Sequence, residues 1–259
     1  MILENHIKER FMNLKTHLEA FAENGSSDML HSLRVELKKV KAIGRFLKPH
    51  FSKKQQQEVL EPLKQYFRKA GEVRESELLA QYLLDTNMED IYADLKTKKT
   101  LKKREAALQK DTVKLLKDID KTERAFLEET VIDNKKLIHQ YIDSVEKKLD
   151  HELKRIPPKN EWHEIRKLAK RAVYGNDWLE NTIDPGKLAY YEKLQTTIGD
   201  WHDNEISQLL INVLKRNYKG NEKYILRLEE AEKTLREKKK AKEEEVEKLL
   251  ENKVSQALP

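Results

Sequence analysis

Apolar side chains recur every three or four positions along the start of the chain, a spacing that places them on one face of an α-helix. In the first segment these positions are Ile7, Phe11, Leu14, Leu18 and Phe21. The Asn24-Gly25 pair that follows is typical of a helix end, and Ser26-Ser27-Asp28 is typical of an N-cap. A second helix is therefore predicted from about Ser27 to Leu47, where Lys48-Pro49 ends it.

The same period continues through the rest of the chain, with no useful run of strand-like alternation. The further helices are expected at Ser52 to Phe67, Glu72 to Leu84, within 88–155, and at 160–179, 187–197, 200–218 and 221–252. Pro157-Pro158 and Asp184-Pro185-Gly186 are expected to be breaks. Ala241 is the only apolar residue between Leu235 and Val246, so the last helix is expected to be solvated or frayed and not packed.

The composition favours an all-α fold with a basic character. Of the 259 residues, 38% are charged and 38% hydrophobic, with only 7 Gly and 6 Pro, as in long helices packed along narrow seams. The net charge of +6 suits an acidic partner. Without Cys, disulfides, thiolate catalysis and Cys-based zinc sites are excluded, and no apolar run reaches the length of a membrane span. A cytoplasmic protein with no membrane partner is expected.

Two sequence blocks occur twice in the same order. His31–Lys39 aligns with His163–Arg171 at an offset of 132 (163 − 31), and Gly71–Leu78 aligns with Gly199–Ile206 at an offset of 128 (199 − 71). Paired blocks at nearly one separation indicate an internal duplication. The 259 residues are therefore predicted to form a single domain made of two copies of one helical unit, about 1–130 and about 131–259.

The first block of each copy has an apolar side and a cationic side when about 100° of rotation is assigned to each helical residue. In the first copy the cationic side carries His31, Arg34, Lys38, Lys41 and Arg45. The opposite side carries Leu33, Leu37, Val40 and Leu47. In the second copy one side carries His163, Arg166, Lys170 and Tyr174, opposite Ile165, Ala169 and Ala172.

These cationic stripes lack the compensating acids of an ordinary solvated helix face. Between Arg34 and Lys54 there are eight cations and one acid, Glu36. Like charges held together destabilise a fold unless an anion relieves them, and an array of Arg and Lys suits a chain of phosphates. The stripes hold almost no aromatic platform for base stacking, and no helix-turn-helix or zinc-finger pattern occurs, so a base-free polyanion fits better than nucleic acid.

Four other residues of the blocks each have two interpretations. His31 and His163 either donate hydrogen bonds to phosphate or have capping and packing roles. Glu75 and Asp203 either orient Arg or Lys side chains or cap the following helix, because a carboxylate that faced a polyanion directly would repel it.

These motifs resemble those of the CHAD domain, the conserved histidine α-helical domain. The resemblance rests on His-x-x-Arg-Val-x-x-Lys-Lys-x-Lys at 31–41, Gly-Glu-Val-Arg-Glu at 71–75, His-Glu-Ile-Arg-Lys-x-x-Lys-Arg-x-x-Tyr at 163–174 and Gly-Asp-x-His-Asp at 199–203. It implies two similar four-helix bundles around a basic central cavity, and binding of inorganic polyphosphate, often at polyphosphate granules. Because no Glu-x-Glu-x-Lys signature of a fused CYTH domain occurs, the stand-alone form is indicated.

By motif match, the resemblance implies a set of polyphosphate-binding residues. They are His31, Arg34, Lys38, Lys39, Lys41, Arg45, Arg74, His163, Arg166, Lys167, Lys170 and Arg171. Two positions depart from the family pattern: Val173 stands where the family often has a cation, and Glu75 stands where it usually has Asp.

Three other functions are alternatives to polyphosphate binding. An enzyme is disfavoured because the sequence lacks a Gly-x-x-x-x-Gly-Lys loop, a His-Glu-x-x-His motif and a Cys nucleophile, so no catalytic residue, metal or cofactor is predicted. A module that binds the backbone of RNA or DNA is the main alternative, and competition at physiological salt distinguishes it. A coiled-coil scaffold acting through 88–155 and 221–252 would bind its partner equally well after charge reversal at Arg34 and Lys38.

Overall fold

The computed structural model describes residues 2–93, 95–129, 134–178 and 182–257, and over these ranges it is helical without a strand. The all-α prediction is confirmed. The helices in chain order are α1 (Ile2–Asn24), α2 (Ser27–Leu47), α3 (Lys53–Gln55), α4 (Glu61–Asp85), α5 (Glu89–Ala93), α6 (Leu95–Glu128), α7 (Asn134–Glu152), α8 (Trp162–Asn176), α9 (Pro185–Asn217) and α10 (Glu222–Ala257). A π-helical turn, Gln56–Leu60, joins α3 to α4, and a 3-10 turn, Lys159–Glu161, precedes α8. The chain divides into two compact units, Met1–Leu137 and Ile138–Pro259.

The boundary between α1 and α2 lies where the sequence predicts it. Gly25 has a positive φ of 60°, a conformation that glycine adopts without a steric penalty, and its N–H donates to the Phe21 carbonyl at 3.0 Å. The next residue, Ser26, caps α2, because its hydroxyl accepts a hydrogen bond from the Met29 N–H at 3.3 Å.

In the first unit, α1 packs against α2 and α6, and α4 packs against the same two helices. This ring of contacts forms a four-helix bundle in which α2 and α6 lie diagonally opposite each other. The predicted apolar stripes fill its core, where the fully buried residues include Ile7, Phe11, Leu14, Leu18, Phe21, Leu33, Leu37 and Val40. Each such side chain stabilises the bundle by about 1.5–3 kcal/mol relative to an exposed position.

In the second unit, α9 packs along both α8 and α10. The rings of Trp162 on α8 and Trp201 on α9 meet edge to face, with their centroids 5.0 Å apart. Helix α7 joins this unit through Tyr141, which stacks on Trp178 at 5.9 Å, and through Ile142, which fits against Gly175. Aromatic rings therefore take part in the packing of α8 against α9 and of α7 against the segment that follows α8.

Two predicted breaks are wrong. Helices α4 and α9 run without interruption through Gly71 and Gly199, although the sequence predicts that helices end before each of them. A single glycine costs a helix only about 1 kcal/mol relative to alanine, and neighbouring packing outweighs that cost. The predicted break before α9 is present, because residues 182–184 are not helical, but the helix begins at Pro185 and not at 187. The Asp184 carboxylate caps it by accepting from the Lys187 N–H at 3.0 Å, and a first-turn proline needs no N–H partner.

The prediction of an unpacked last helix is also wrong. Leu235 and Val246 of α10 are buried, and the segment between them packs through polar contacts. Glu243 accepts hydrogen bonds from the Trp201 indole N–H at 3.1 Å and from the Lys159 ammonium at 2.7 Å. Charged side chains with specific partners replace apolar residues here, so hydrophobic periodicity does not register the contact.

Candidate functional site

Helix α2 carries the cationic stripe of the first unit on the side opposite its buried residues. Leu33, Leu37 and Val40 have no exposed surface, and they fix the rotation of the helix about its axis. The stripe residues are exposed or half-buried; they are His31, Arg34, Lys38, Lys41 and Arg45. The predicted side of α2 therefore reaches the surface of the unit.

The Arg34 guanidinium lies against α4. It donates from Nη1 to the Phe67 carbonyl at 3.3 Å, and its Cζ lies 4.8 Å from the centre of the Phe67 ring. A Cβ atom added at Gly71 would lie 3.0 Å from Nη1. Gly71 therefore leaves the space that the guanidinium occupies, which explains why a helix interior carries glycine at this position.

Lys41 lies over the same aromatic ring, with its Nζ 3.6 Å from the Phe67 centroid. Burial, followed by the neighbouring charges of Arg45, Arg34, Lys64 and Lys38, lowers the pKa of Lys41 to about 8. Among the described residues, neither Lys41 nor Arg45 forms an ion pair with a carboxylate. The cationic cluster around Lys41 is therefore only partly compensated.

Lys64 belongs to this cluster although it lies on α4 and not on α2. It ion-pairs with Glu61 at 3.1 Å and still contributes to the low pKa of Lys41. Neither repeated block contains Lys64 or Phe67, so nothing in the sequence pattern marks them. Their role depends on the packing of α4 against α2, which only the fold provides.

His31 and Arg74 lie at the other end of the stripe. Burial and then the charges of Arg74, Lys38 and Arg34 lower the pKa of His31, so its imidazole is neutral at pH 7 and retains one N–H donor. Arg74 donates to the Ser27 hydroxyl at 2.7 Å and to Glu77 at 3.2 Å. Its charge is therefore partly balanced within the unit.

Lys39 lies outside the stripe. Its ammonium contacts Glu36 at 2.9 Å, and Glu36 also pairs with Arg10 of α1 at 3.4 Å. Lys39 therefore faces α1, whereas Arg34 and Lys41 face α4. The direction follows from helical geometry, since Lys39 is rotated by about 80° from His31 in the sense opposite to Arg34.

In the second unit, Arg166 of α8 repeats the arrangement of Arg34. A Cβ atom added at Gly199 would lie 3.1 Å from Nη2 and 3.3 Å from Nε of Arg166. The Nε atom is buried and has no hydrogen-bond partner within the described residues. In both units the arginine of the first block thus lies against the glycine of the second block.

The remaining predicted cations of α8 differ in their surroundings. Lys167 pairs with Glu164 at 2.7 Å, whereas Lys170 and Arg171 are half-buried and interact with neighbouring groups. The ring centroids of His163 and His202 are 5.2 Å apart. Burial, Lys167, His202 and Arg166 lower the pKa of His163.

Glu75 and Asp203 have neither of their predicted roles. Both are exposed in the middle of unbroken helices, so neither caps a helix, and neither forms an ion pair within the described chain. The acids that do contact basic residues lie two positions further along. Glu77 accepts from Arg74, and Glu205 lies 3.5 Å from His202.

The two stripes provide Arg and Lys donors without a set of ligands for a cation. Within the ranges described above, no group of three or more His, Asp or Glu side chains is placed to hold a metal ion. No described helix is both long and apolar enough to cross a membrane. The arrangement suits recognition of an anion with several oxygen atoms.

Comparison with known proteins identifies the family. The sequence model of the CHAD domain matches residues 5–212, and no curated protein is a significant sequence match. The fold is similar to the crystal structure of the CHAD domain from the plant Ricinus communis, with 13% identity, a TM-score of 0.76, and coverage of 96% of this chain and 90% of that one. It is also similar to PptA from Streptomyces chartreusis, with 9% identity, a TM-score of 0.69 and coverage of 96% and 98%. The chain belongs to the CHAD domain family.

Proposed function

We propose that the chain binds inorganic polyphosphate through the cationic stripes of α2 and α8 and leaves it chemically unchanged. The observation that carries the proposal is the cluster around Lys41, where several cations meet and two of them lack a carboxylate partner among the described residues. A chain of phosphates relieves the mutual repulsion of these cations and accepts hydrogen bonds from each of them. The proposed setting is the cytoplasm, at polyphosphate granules.

The surroundings of Phe67 favour a polyanion without bases. Phe67 is the aromatic residue beside the α2 stripe, and Arg34 and Lys41 cover its ring. Binding of single-stranded nucleic acid usually uses exposed aromatic faces on which bases stack. A ring already covered by two cations instead holds those cations in place for phosphate.

The direct test is binding of labelled long-chain polyphosphate at about 0.15 M salt, where exposed charges are screened beyond roughly 8 Å. Wild type is compared with a fourfold variant, Arg34→Glu/Lys38→Glu/Arg166→Glu/Lys170→Glu. Each lost charged hydrogen bond removes about 1.5–3 kcal/mol, so loss of even two weakens binding by more than about a hundredfold. Circular dichroism checks that the variant remains helical.

A matched control reverses four exposed lysines outside the stripes. They are Lys102, Lys110, Lys117 and Lys223. This control has the same net charge as the fourfold variant and is expected to retain most of the affinity. A Lys38→Glu/Lys170→Glu variant avoids the two arginines that pack against glycines, and it is expected to lose affinity while remaining folded.

Competition experiments separate polyphosphate from nucleic acid. Single-stranded RNA and DNA at equal phosphate concentration are expected to displace little of the bound polyphosphate. If wild type does not bind polyphosphate, or if the folded stripe variants bind it as well as the control does, the proposal is wrong. Efficient displacement by RNA or DNA would favour the nucleic-acid function instead.

A further inference from the structure

The two units have unequal phosphate-binding surfaces at corresponding positions, an inference that rests on the proposed function. Equivalent residues of the two units can be assigned from one contact that both units contain: Arg34 lies against Gly71 in the first unit, and Arg166 lies against Gly199 in the second. The offset of 132 therefore applies along α2 and α8, and the offset of 128 applies along α4 and α9.

Position 41 of α2 corresponds to Val173 of α8. Lys41 brings an ammonium group to 3.6 Å from the Phe67 ring, within a cluster that includes Arg45. Val173 is half-buried and has no charge or hydrogen-bonding group on its side chain. The second unit therefore lacks the cation at the centre of the first unit's cluster.

The helices that pack against α2 and α8, which are α4 and α9, also favour phosphate binding by the first unit. One turn before Gly71, α4 carries Phe67, whereas α9 carries Gln195 one turn before Gly199. The Gln195 amide donates to the neighbouring Thr196 hydroxyl at 3.3 Å. Lys64 of α4 corresponds to Glu192 of α9, which is exposed and carries the charge that repels phosphate.

We propose that the first unit contains the stronger phosphate subsite and that Lys41 gives it this advantage. At three corresponding positions the first unit has the more favourable side chain for phosphate. The pairs are Lys41 and Val173, Phe67 and Gln195, and Lys64 and Glu192. Coulomb attraction for a phosphate oxygen is consequently greater at the first unit. The second unit retains its own arginine against glycine and binds more weakly.

Two kinds of substitution test the inference with long-chain polyphosphate at about 0.15 M salt. Lys41→Met is expected to weaken binding by roughly tenfold or more, the equivalent of one charged contact. The reciprocal Val173→Lys is expected to strengthen binding several-fold, because it places a cation on α8 where α2 has Lys41. Lys117→Met, on the helix diagonally opposite α2, is the matched control and is expected to change the affinity less than twofold.

A second pair of variants removes a lysine that both units have at the same position. Lys38→Gln and Lys170→Gln remove corresponding cations, and Lys38→Gln is expected to cost at least three times more affinity. The inference is overturned if wild type binds and Lys41→Met binds equally well, or if Lys170→Gln costs as much as Lys38→Gln. Failure of wild type to bind would instead refute the proposed function itself. Thermal melts establish that each variant is folded, and the two Gln substitutions replace half-buried side chains without changing the core.

Discussion

Replacement of Lys41 by Met is predicted to stabilise the free protein while weakening its binding of polyphosphate. Lys41 is half-buried beside Arg34, Arg45 and Lys64, and it has no carboxylate partner in the described chain. Methionine is similar in length and unbranched, so it fills the same space above Phe67 without the charge. The substitution therefore separates the cost of the charge from the packing of the side chain.

The lowered pKa sets the upper limit of the effect. A fall of the Lys41 pKa from its ordinary 10.5 to about 8 corresponds to about 3 kcal/mol of unfavourable free energy for the charged folded state. Attraction between the ammonium and the Phe67 ring offsets about 1 kcal/mol of this cost, and partial exposure to water reduces it further. We therefore expect Lys41→Met to raise the free energy of unfolding at pH 7 by about 1–2 kcal/mol.

The effect has a defined pH dependence. Below the folded pKa of about 8, Lys41 is charged in both the folded and the unfolded state, so the wild type bears the full cost. Between about 8 and 10.5 the unfolded state binds more protons than the folded state, and the stability of the wild type relative to the variant rises with pH. Near pH 10.5 the difference between the two proteins is expected to disappear.

Urea unfolding followed by circular dichroism at pH 7, 9 and 10.5 measures the difference. Lys117→Met is the control and is expected to change the free energy of unfolding by less than about 0.5 kcal/mol at each pH. A Lys41→Met variant that is less stable than wild type at pH 7 would refute an unfavourable charge at this position. A stabilisation that stays constant through pH 10.5 would also refute it, because the gain would then have no electrostatic origin.

Three further predictions concern the glycine contact, the packing of α10 and the histidines. In Gly71→Ala the new methyl group, 3.0 Å from Arg34 Nη1, displaces the guanidinium. Polyphosphate affinity is therefore expected to fall several-fold, while the free energy of unfolding measured in urea changes by no more than about 1 kcal/mol. Unchanged affinity would argue against this role of the glycine. Glu243→Ala leaves the Trp201 N–H without its acceptor and is expected to lower the free energy of unfolding by about 1–3 kcal/mol. A loss below about 0.5 kcal/mol would mean that α10 is not packed through this residue. In NMR titrations His31 and His163 are expected to have a pKa below 6.5 in the free protein and a higher pKa with polyphosphate bound. A pKa of 6.5 or more for either histidine in the free protein would contradict the effect of burial and neighbouring cations.

The helices and the cationic stripes can be predicted from the sequence because each depends on periodicity within one helix. The spacing of Leu33, Leu37 and Val40 fixes which side of α2 is buried, and the opposite side follows from geometry alone. The same geometry separates Lys39 from the stripe, although the family motif groups it with the others. For Lys39, helical periodicity therefore predicts the direction of the side chain, and motif membership does not.

Features that depend on a second helix cannot be predicted in this way. The sequence predicts helix breaks at Gly71 and Gly199, but each glycine lies within a continuous helix. Each leaves space for an arginine of another helix, Arg34 of α2 and Arg166 of α8 respectively. Phe67 and Lys64 join the cluster only because α4 packs against α2. The packing of α10 likewise depends on hydrogen bonds between distant residues, such as Trp201 to Glu243.

Lysine footprinting reports directly which part of the protein surface polyphosphate contacts. The protein is acetylated with and without saturating polyphosphate at about 0.15 M salt, and modification is measured by mass spectrometry. Polyphosphate is expected to protect Lys38, Lys41 and Lys170 several-fold and to leave the exposed Lys117 and Lys223 almost unchanged. Equal protection of all lysines, or protection confined to Lys117 and Lys223, would contradict the assignment of the cationic stripes as the binding surface.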